Sequence, residues 1–191
     1  MHSVQYRITI KETVKNMDFY EVIKTRRTVR NYKADPIPED VLRRVLDAAR
    51  IAQSGSNRQP WHYIIIRDKE RMKGIVPLCA NQAFIAEAPI VVVACGMNLK
   101  TNRGGYMGDF GMLVDVTISF SQLTLAARVE NLGTCWIGSF NNEGLKHYLG
   151  IPDDMQVVAL TPLGYPARAD AFFENATKKP LEEIVSYEKY K

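Results

Sequence analysis

The stretch DFGMLVDVTISFSQLTLAARVE, residues 109–130, is the longest helical candidate in the chain and decides its architecture. Phe110, Leu113, Val114, Ile118, Phe120, Leu123, Leu125, Ala126 and Val129 spread round most of its circumference. A helix apolar nearly all round must be covered on every side, more than one small domain supplies, so the stretch predicts a second subunit. Before it, Pro89 opens the unbroken apolar run Ile90 to Cys95, read as an interior strand, and the polar, glycine-bearing residues 96–108 read as a long loop. Trp61 to Arg67 reads as another strand buried on both faces. A helical piece from Asp68 is broken near Pro77, and a second short one runs from Gln82 to Ala88. After it come a strand over 132–137, a short helix over 141–149 and a fourth interior strand over 156–163.

Nearer the N-terminus, Asp18 is the N-cap of a helix that places Phe19, Val22 and Ile23 on one face. Pro36 and Pro38 hold an extended link. Glu39 and Asp40 then open a helix whose Val41, Leu42, Val45, Leu46, Ala49 and Ala52 recur at helical spacing. Val4, Tyr6, Ile8 and Ile10 alternate as in a short strand or a disordered lead-in, and the apolar residues after Pro180 need a partner surface.

With 191 residues, 46% of them hydrophobic and 24% charged, the chain suits a single domain with a real core. A net charge of +4 without a basic block argues against nucleic acid. No apolar run looks long enough to span a membrane, and the first residues lack the apolar core of a secretion signal. Cys79, Cys95 and Cys135, odd in number and without C-x-x-C spacing, read as reduced buried thiols, so a cytoplasmic setting is expected. His2, His62 and His147 form no metal-ligand spacing, and no metal is expected. There is no nucleophile elbow or Walker loop, and the glycines of residues 104–111 do not follow a strand in dinucleotide-binding spacing.

Two polar stretches remain. Arg26-Arg27-Thr28-Val29-Arg30 sets three guanidinium groups beside a hydroxyl, a donor set matched to a phosphate dianion, though a solvated basic turn has the same composition. Ser54-Gly55-Ser56-Asn57-Arg58-Gln59-Pro60-Trp61 packs hydroxyls, amides and a glycine ahead of a strand, donors and acceptors for a flat polar ligand. Together, R-R-T-V-R followed by S-G-S-N-R-Q-P-W-H-Y resembles the N-terminal signature of the flavin-dependent nitroreductase family, and later stretches extend the likeness from about Asp18 to the C-terminus.

The resemblance implies an α+β nitroreductase-like fold: a mixed central β-sheet flanked by helices in an intertwined homodimer. Residues 1–17 would be an extension, and residues 18–191 one FMN-binding domain whose tail crosses to the partner subunit. It implies that Arg26, Arg27, Thr28 and Arg30 hold the FMN phosphate and ribityl chain. Ser54, Gly55, Ser56, Asn57 and Gln59 would reach the flavin across the interface, with Gln53 where the family commonly has Pro. Leu132 to Phe140 is similar to the family's G-L-G-T-C-W-I-G-x-F, with Asn131 for the first glycine. This implies that the backbone at Trp136, Ile137, Gly138 and Ser139 runs along the ring, with the Gly138 N–H near N5. Lys178 and Lys179, in a segment similar to R-K-P-L-E-E, would complete the phosphate site. Chemistry on the flavin needs no catalytic side chain.

The implied activity is ping-pong hydride transfer from NAD(P)H through FMN to a nitroaromatic or quinone. The alternatives are a dehalogenase of the iodotyrosine deiodinase kind, with residues 100–106 as its lid, an FMN-storage protein, and a basic interaction module without flavin.

Overall fold

The structure is a computed structural model and describes residues 17–97, 106–173 and 177–190. The expected strand at Val4 to Ile10 and the centre of the expected loop, residues 98–105, lie outside the described residues.

Short polar caps start the small helices. The Asp18 carboxylate accepts the Tyr20 N–H at 3.1 Å ahead of α1 (Phe19–Thr25). Acidic Glu39 and Asp40 open α2 (Glu39–Arg50), which buries Leu42, Val45 and Ala49 on one face. Strand β1 (Trp61–Ile66) leads to α3 (Lys69–Ile75), capped by Asp68, and to 3₁₀ turns at Pro77–Cys79 and Ala83–Ala86. Then come β2 (Ile90–Met97), α4 (Tyr106–Val129), β3 (Gly133–Thr134), α5 (Asn142–Leu149, capped by Asn141), β4 (Met155–Gly164) and α6 (Leu181–Ile184).

The sheet runs β1-β2-β4-β3, each neighbouring pair antiparallel. Among the described residues its one parallel element is an isolated bridge between Thr28 and Thr134. β2 is central, and its residues alternate between two cores. Val92 and Ala94 join α2 and α4 through Leu42, Val45, Phe120 and Leu123, while Val91 and Val93 join Met72, Ile75, Ile85 and Leu145. Cover on both faces is why the strand reads as an unbroken apolar run.

Four readings need correction. β1 is an edge strand, and Ile66 alone in it is fully buried, because a single neighbouring strand leaves the rest partly open even though Trp61, Tyr63 and Ile65 pack on one core and Ile64 on the other. The strand expected at 132–137 pairs only at Gly133 and Thr134, then turns away and touches the sheet again where Ile137 bridges Leu160. The expected loop is shorter at both ends, since Gly96 and Met97 extend β2 and α4 starts at Tyr106. Finally, Phe110–Val129 is long and apolar enough, by length and composition, to cross a membrane.

Within this chain α4 packs on α2 and the sheet, burying Val116, Ser119, Phe120, Leu123 and Ala127. Its polar residues are used inside the fold. Ser119 donates to the Ala49 carbonyl at 2.7 Å and meets the Tyr63 hydroxyl at 2.6 Å, and burial pushes the Tyr63 phenol up to about 12. Phe110, Leu113 and Val114, at 42%, 41% and 39% exposure, leave one stripe of the helix uncovered. Leu181, Ile184, Tyr187 and Tyr190 in the tail are exposed as well. All three cysteines are free and buried, and burial pushes the Cys79 and Cys95 thiols up to about 11.

The extended residues after α1 dock closely on β3. The Val29 N–H donates to the Thr134 carbonyl at 2.9 Å, and a Cβ on Gly133 would lie 2.7 Å from that of Val29. Gly133→Ala is therefore expected to cost about 1–3 kcal/mol by overpacking. The thermal midpoint falls by roughly 2–4 °C per kcal/mol, measured by circular dichroism. Gly111→Ala, where a Cβ meets nothing within 4 Å, leaves it no lower.

Candidate active site

The basic turn starts where α1 stops. Arg26 is the extended C-cap, its N–H still bonded to the Val22 carbonyl at 2.9 Å, and from there the chain runs straight along β3. Arg27 donates through Nη1 to the Arg26 carbonyl at 2.9 Å. Val29 and Tyr32 are buried and anchor the segment, with the Tyr32 hydroxyl donating to the Val29 carbonyl, while Thr28 and Arg30 are exposed. The Arg30 guanidinium lies 6.0 Å from the Phe84 ring centroid, close enough to Cys135 to oppose the rise that burial imposes on that thiol. Thr28, Arg30, Asn31, Arg168, Asp170 and Ala171 line a cleft of about 270 Å³, with Arg168 paired to Asp170 at 2.7 Å.

The backbone after β3 continues from this cleft. Cys135 donates its N–H to Thr161 Oγ1 at 2.9 Å. Trp136 packs edge-on against Phe120 of α4, centroids 4.7 Å apart. Ile137 is 2% exposed and both its backbone groups are bonded to Leu160, so it has nothing left to offer a ligand. The next peptide differs. Gly138 and Ser139 are exposed, no backbone hydrogen bond engages the Gly138 N–H among the described residues, and a Cβ there would meet only Trp136 Nε1 at 3.8 Å. These residues leave an open backbone donor on the segment that follows β3, the strand on which the basic turn docks.

The amide loop is tightly wound. Ser56, Asn57 and Gln59 have φ of 54°, 54° and 51°, the left-handed region that residues with a Cβ adopt at a cost. Two contacts hold it: Ser54 Oγ accepts the Gln59 N–H, and Asp115 of α4 accepts the Gly55 N–H, both at 3.0 Å. Gln59 Nε2 donates to the Asn57 carbonyl at 3.2 Å and to Asn57 Oδ1 at 3.1 Å. Asn57 Nδ2 and Gln59 Oε1 are thereby left as a donor and an acceptor, the pair that a cyclic imide edge requires.

The expected site residues fall into separate groups. Arg26 to Arg30 and Thr134 to Ser139 share one sheet edge. The amide loop hangs from Asp115, whereas the basic turn is tied to Arg128 through Thr25, and thirteen residues of helix separate these anchors by about 20 Å. Lys178 and Lys179 are exposed, and among the described residues neither makes a hydrogen bond or ion pair. Asp115 and Arg128 were not foreseen. Asp115 stands out in sequence only as a carboxylate on an apolar helix, and Arg128 looks like any cation in a last helical turn. Among the described residues no cluster of His, Cys, Asp and Glu is placed to hold a metal.

The donor set fits a phosphorylated flat heterocycle. Guanidinium groups with a hydroxyl suit its phosphate, the open Gly138 N–H suits a ring acceptor, and the loop amides suit an imide edge.

The model of the nitroreductase family matches residues 23–106 and 79–165 of this chain. A protein named as an NADH dehydrogenase/NAD(P)H nitroreductase from Methanothermobacter thermautotrophicus is 31% identical over 86% of this chain and 85% of its own length. An iodotyrosine deiodinase of Nematostella vectensis is 27% identical over 90% of the chain and 75% of that protein. The crystal structure of a nitroreductase family protein from Clostridium novyi NT superposes with a TM-score of 0.74 at 33% identity, covering 81% of this chain and 88% of the other.

Removing the Asp115 carboxylate should loosen the amide loop without touching the basic turn. In Asp115→Ala the Gly55 amide hydrogen is expected to exchange about fivefold faster, from loss of about 1 kcal/mol, while Asp115→Asn, which keeps an acceptor, exchanges near the wild-type rate. Amide-resolved hydrogen exchange checks it.

Proposed function

The chain belongs to the nitroreductase family, and from that premise we propose that it is a homodimeric FMN enzyme using NAD(P)H to reduce flat electrophilic acceptors such as nitroaromatics or quinones. Oxidoreductase activity with NAD(P)H is what its relatives' names describe, and flavin dependence is general in the family. Bound FMN would supply the hydride chemistry, accepting from NAD(P)H and giving to the acceptor in turn, while the chain's own residues bind and orient it.

The observation that carries this reading is the separation of ligand-binding groups along α4. The basic turn is tied to the last turn of the helix at Arg128, the amide loop hangs about 20 Å away from Asp115 near its middle, and the turns just before Asp115 expose Phe110, Leu113 and Val114. A second copy packed on that stripe would cover it and bring its amide loop to the first copy's basic turn. Arg26, Arg27, Thr28 and Arg30 then neutralise the phosphate and hold the ribityl chain, and Lys178 and Lys179 add point charge. The Gly138 N–H would then face the N5 side of the ring, where a donor favours negative charge. Asn57 and Gln59, across the interface, orient the polar edge. The exposed residues of the tail, Leu181, Ile184, Tyr187 and Tyr190, lie over the partner subunit. No side chain acts as nucleophile, and protons come from solvent.

The likeness to an iodotyrosine deiodinase favours one second reading, a reductive dehalogenase.

Anaerobic titration of the purified protein with NADH and with NADPH, followed in the flavin absorbance band, tests the proposal. A yellow protein that bleaches promptly and recovers its colour with a nitroaromatic or quinone is expected. Colourless protein after FMN addition sinks the reading, slow bleaching points to a flavin store, and faster recovery with a halotyrosine points to the dehalogenase.

A further inference from the structure

Arg128, in the last turn of α4, is buried to 6% exposure, yet no motif singles it out. Its Nε donates to Thr25 Oγ1 at 3.0 Å and its Nη1 to Asn131 Oδ1 at 3.4 Å, and its guanidinium carbon lies 4.1 Å from the Phe172 ring centroid. Among the described residues no carboxylate forms an ion pair with it. Burial lowers its pKa, opposed only by the more distant charge of Glu21. Buried charges in proteins are normally paired, because taking an ion from water without a counter-charge is costly. A hydroxyl, an amide and a ring face satisfy geometry here but bring no negative charge. The negative end of the helix dipole amounts to only about half a charge.

Two of the three contacts of Arg128 bracket the proposed phosphate site. Thr25 immediately precedes Arg26, and Phe172 follows Ala171, which lines the cleft with Thr28 and Arg30. A phosphate dianion gripped by the basic turn would supply a counter-charge that no described residue gives Arg128, whose own side chain is buried.

We propose that Arg128 is a specificity-determining residue: it positions the basic turn through Thr25, and its buried charge makes the site select FMN over unphosphorylated riboflavin. This rests on the reading of the site as an FMN site. Arg128 touches no reacting atom and acts through the turn and through its charge, so the ratio of FMN to riboflavin affinity reports it. A role confined to packing would move both affinities together.

The experiment measures dissociation constants of FMN and riboflavin for the apo forms of the wild type, Arg128→Met, Arg128→Lys and Thr25→Val, each checked for folding by circular dichroism. Arg128→Met, whose straight apolar stem fills the same space, is expected to weaken FMN by about tenfold or more while riboflavin changes by less than about threefold. Arg128→Lys keeps the charge and falls between. Should the Met form not fold, Thr25→Val decides, with an expected loss of several-fold for FMN alone. A wild-type FMN to riboflavin ratio in the folded Met form, or in Thr25→Val where the Met form does not fold, overturns the inference and leaves the FMN site standing. Wild-type protein that binds neither flavin overturns both.

Discussion

Val29 donates its N–H to Thr134 at 2.9 Å, across a gap that only a glycine at position 133 leaves open. That contact carries the basic turn onto the sheet edge. It decides that Arg26, Thr28 and Arg30 stand beside the backbone that leads to Gly138, although more than a hundred residues separate them in sequence. Buried Val29 and Tyr32 hold the extended segment from below, so the residues between and before them can stay in solvent. A turn without such anchors would be a charged loop free to fold away from any ligand.

The long helix α4 is the second organising element, and its polar residues show how. Asp115 holds the amide loop, Ser119 satisfies the end of α2 and the Tyr63 hydroxyl, and Arg128 ties down the end of α1. Each sits where the helix meets a different neighbour. The same helix therefore serves as core filler on one face and as a rigid ruler on another. A rigid ruler keeps the proposed cofactor groups at fixed separation, which preorganises a site at little entropic cost on binding.

Electrostatically the region is built to bind and not to attack. The cysteine nearest the basic turn, Cys135, has its thiol pushed up by burial, with Arg30 opposing, and it is buried in the same core as Cys79 and Cys95. A nucleophile would need the reverse, a depressed pKa and access to solvent. What is accessible instead is positive charge, amide groups and a bare peptide N–H. Those are the tools for holding and tuning a bound electron carrier.

By itself the sequence determined the longer helices and the inner strands, because apolar spacing and caps such as Asp18 and Asn141 act locally, whereas the helix expected over 82–88 is a 3₁₀ turn at Ala83–Ala86 and the short α6 was not expected. It also determined the family, because motifs at both ends occur in order. Tertiary structure alone decided the rest. β1 became an edge strand because sheet order, which no local pattern encodes, gave it one neighbour. The strand expected at 132–137 shortened because Ile137 bonds Leu160 after the chain bends. Asp115 and Arg128 acquired their roles because long-range packing set an amide N–H against one and a hydroxyl and a ring against the other. A residue type announces what it can bond, but only the folded chain decides which partner arrives.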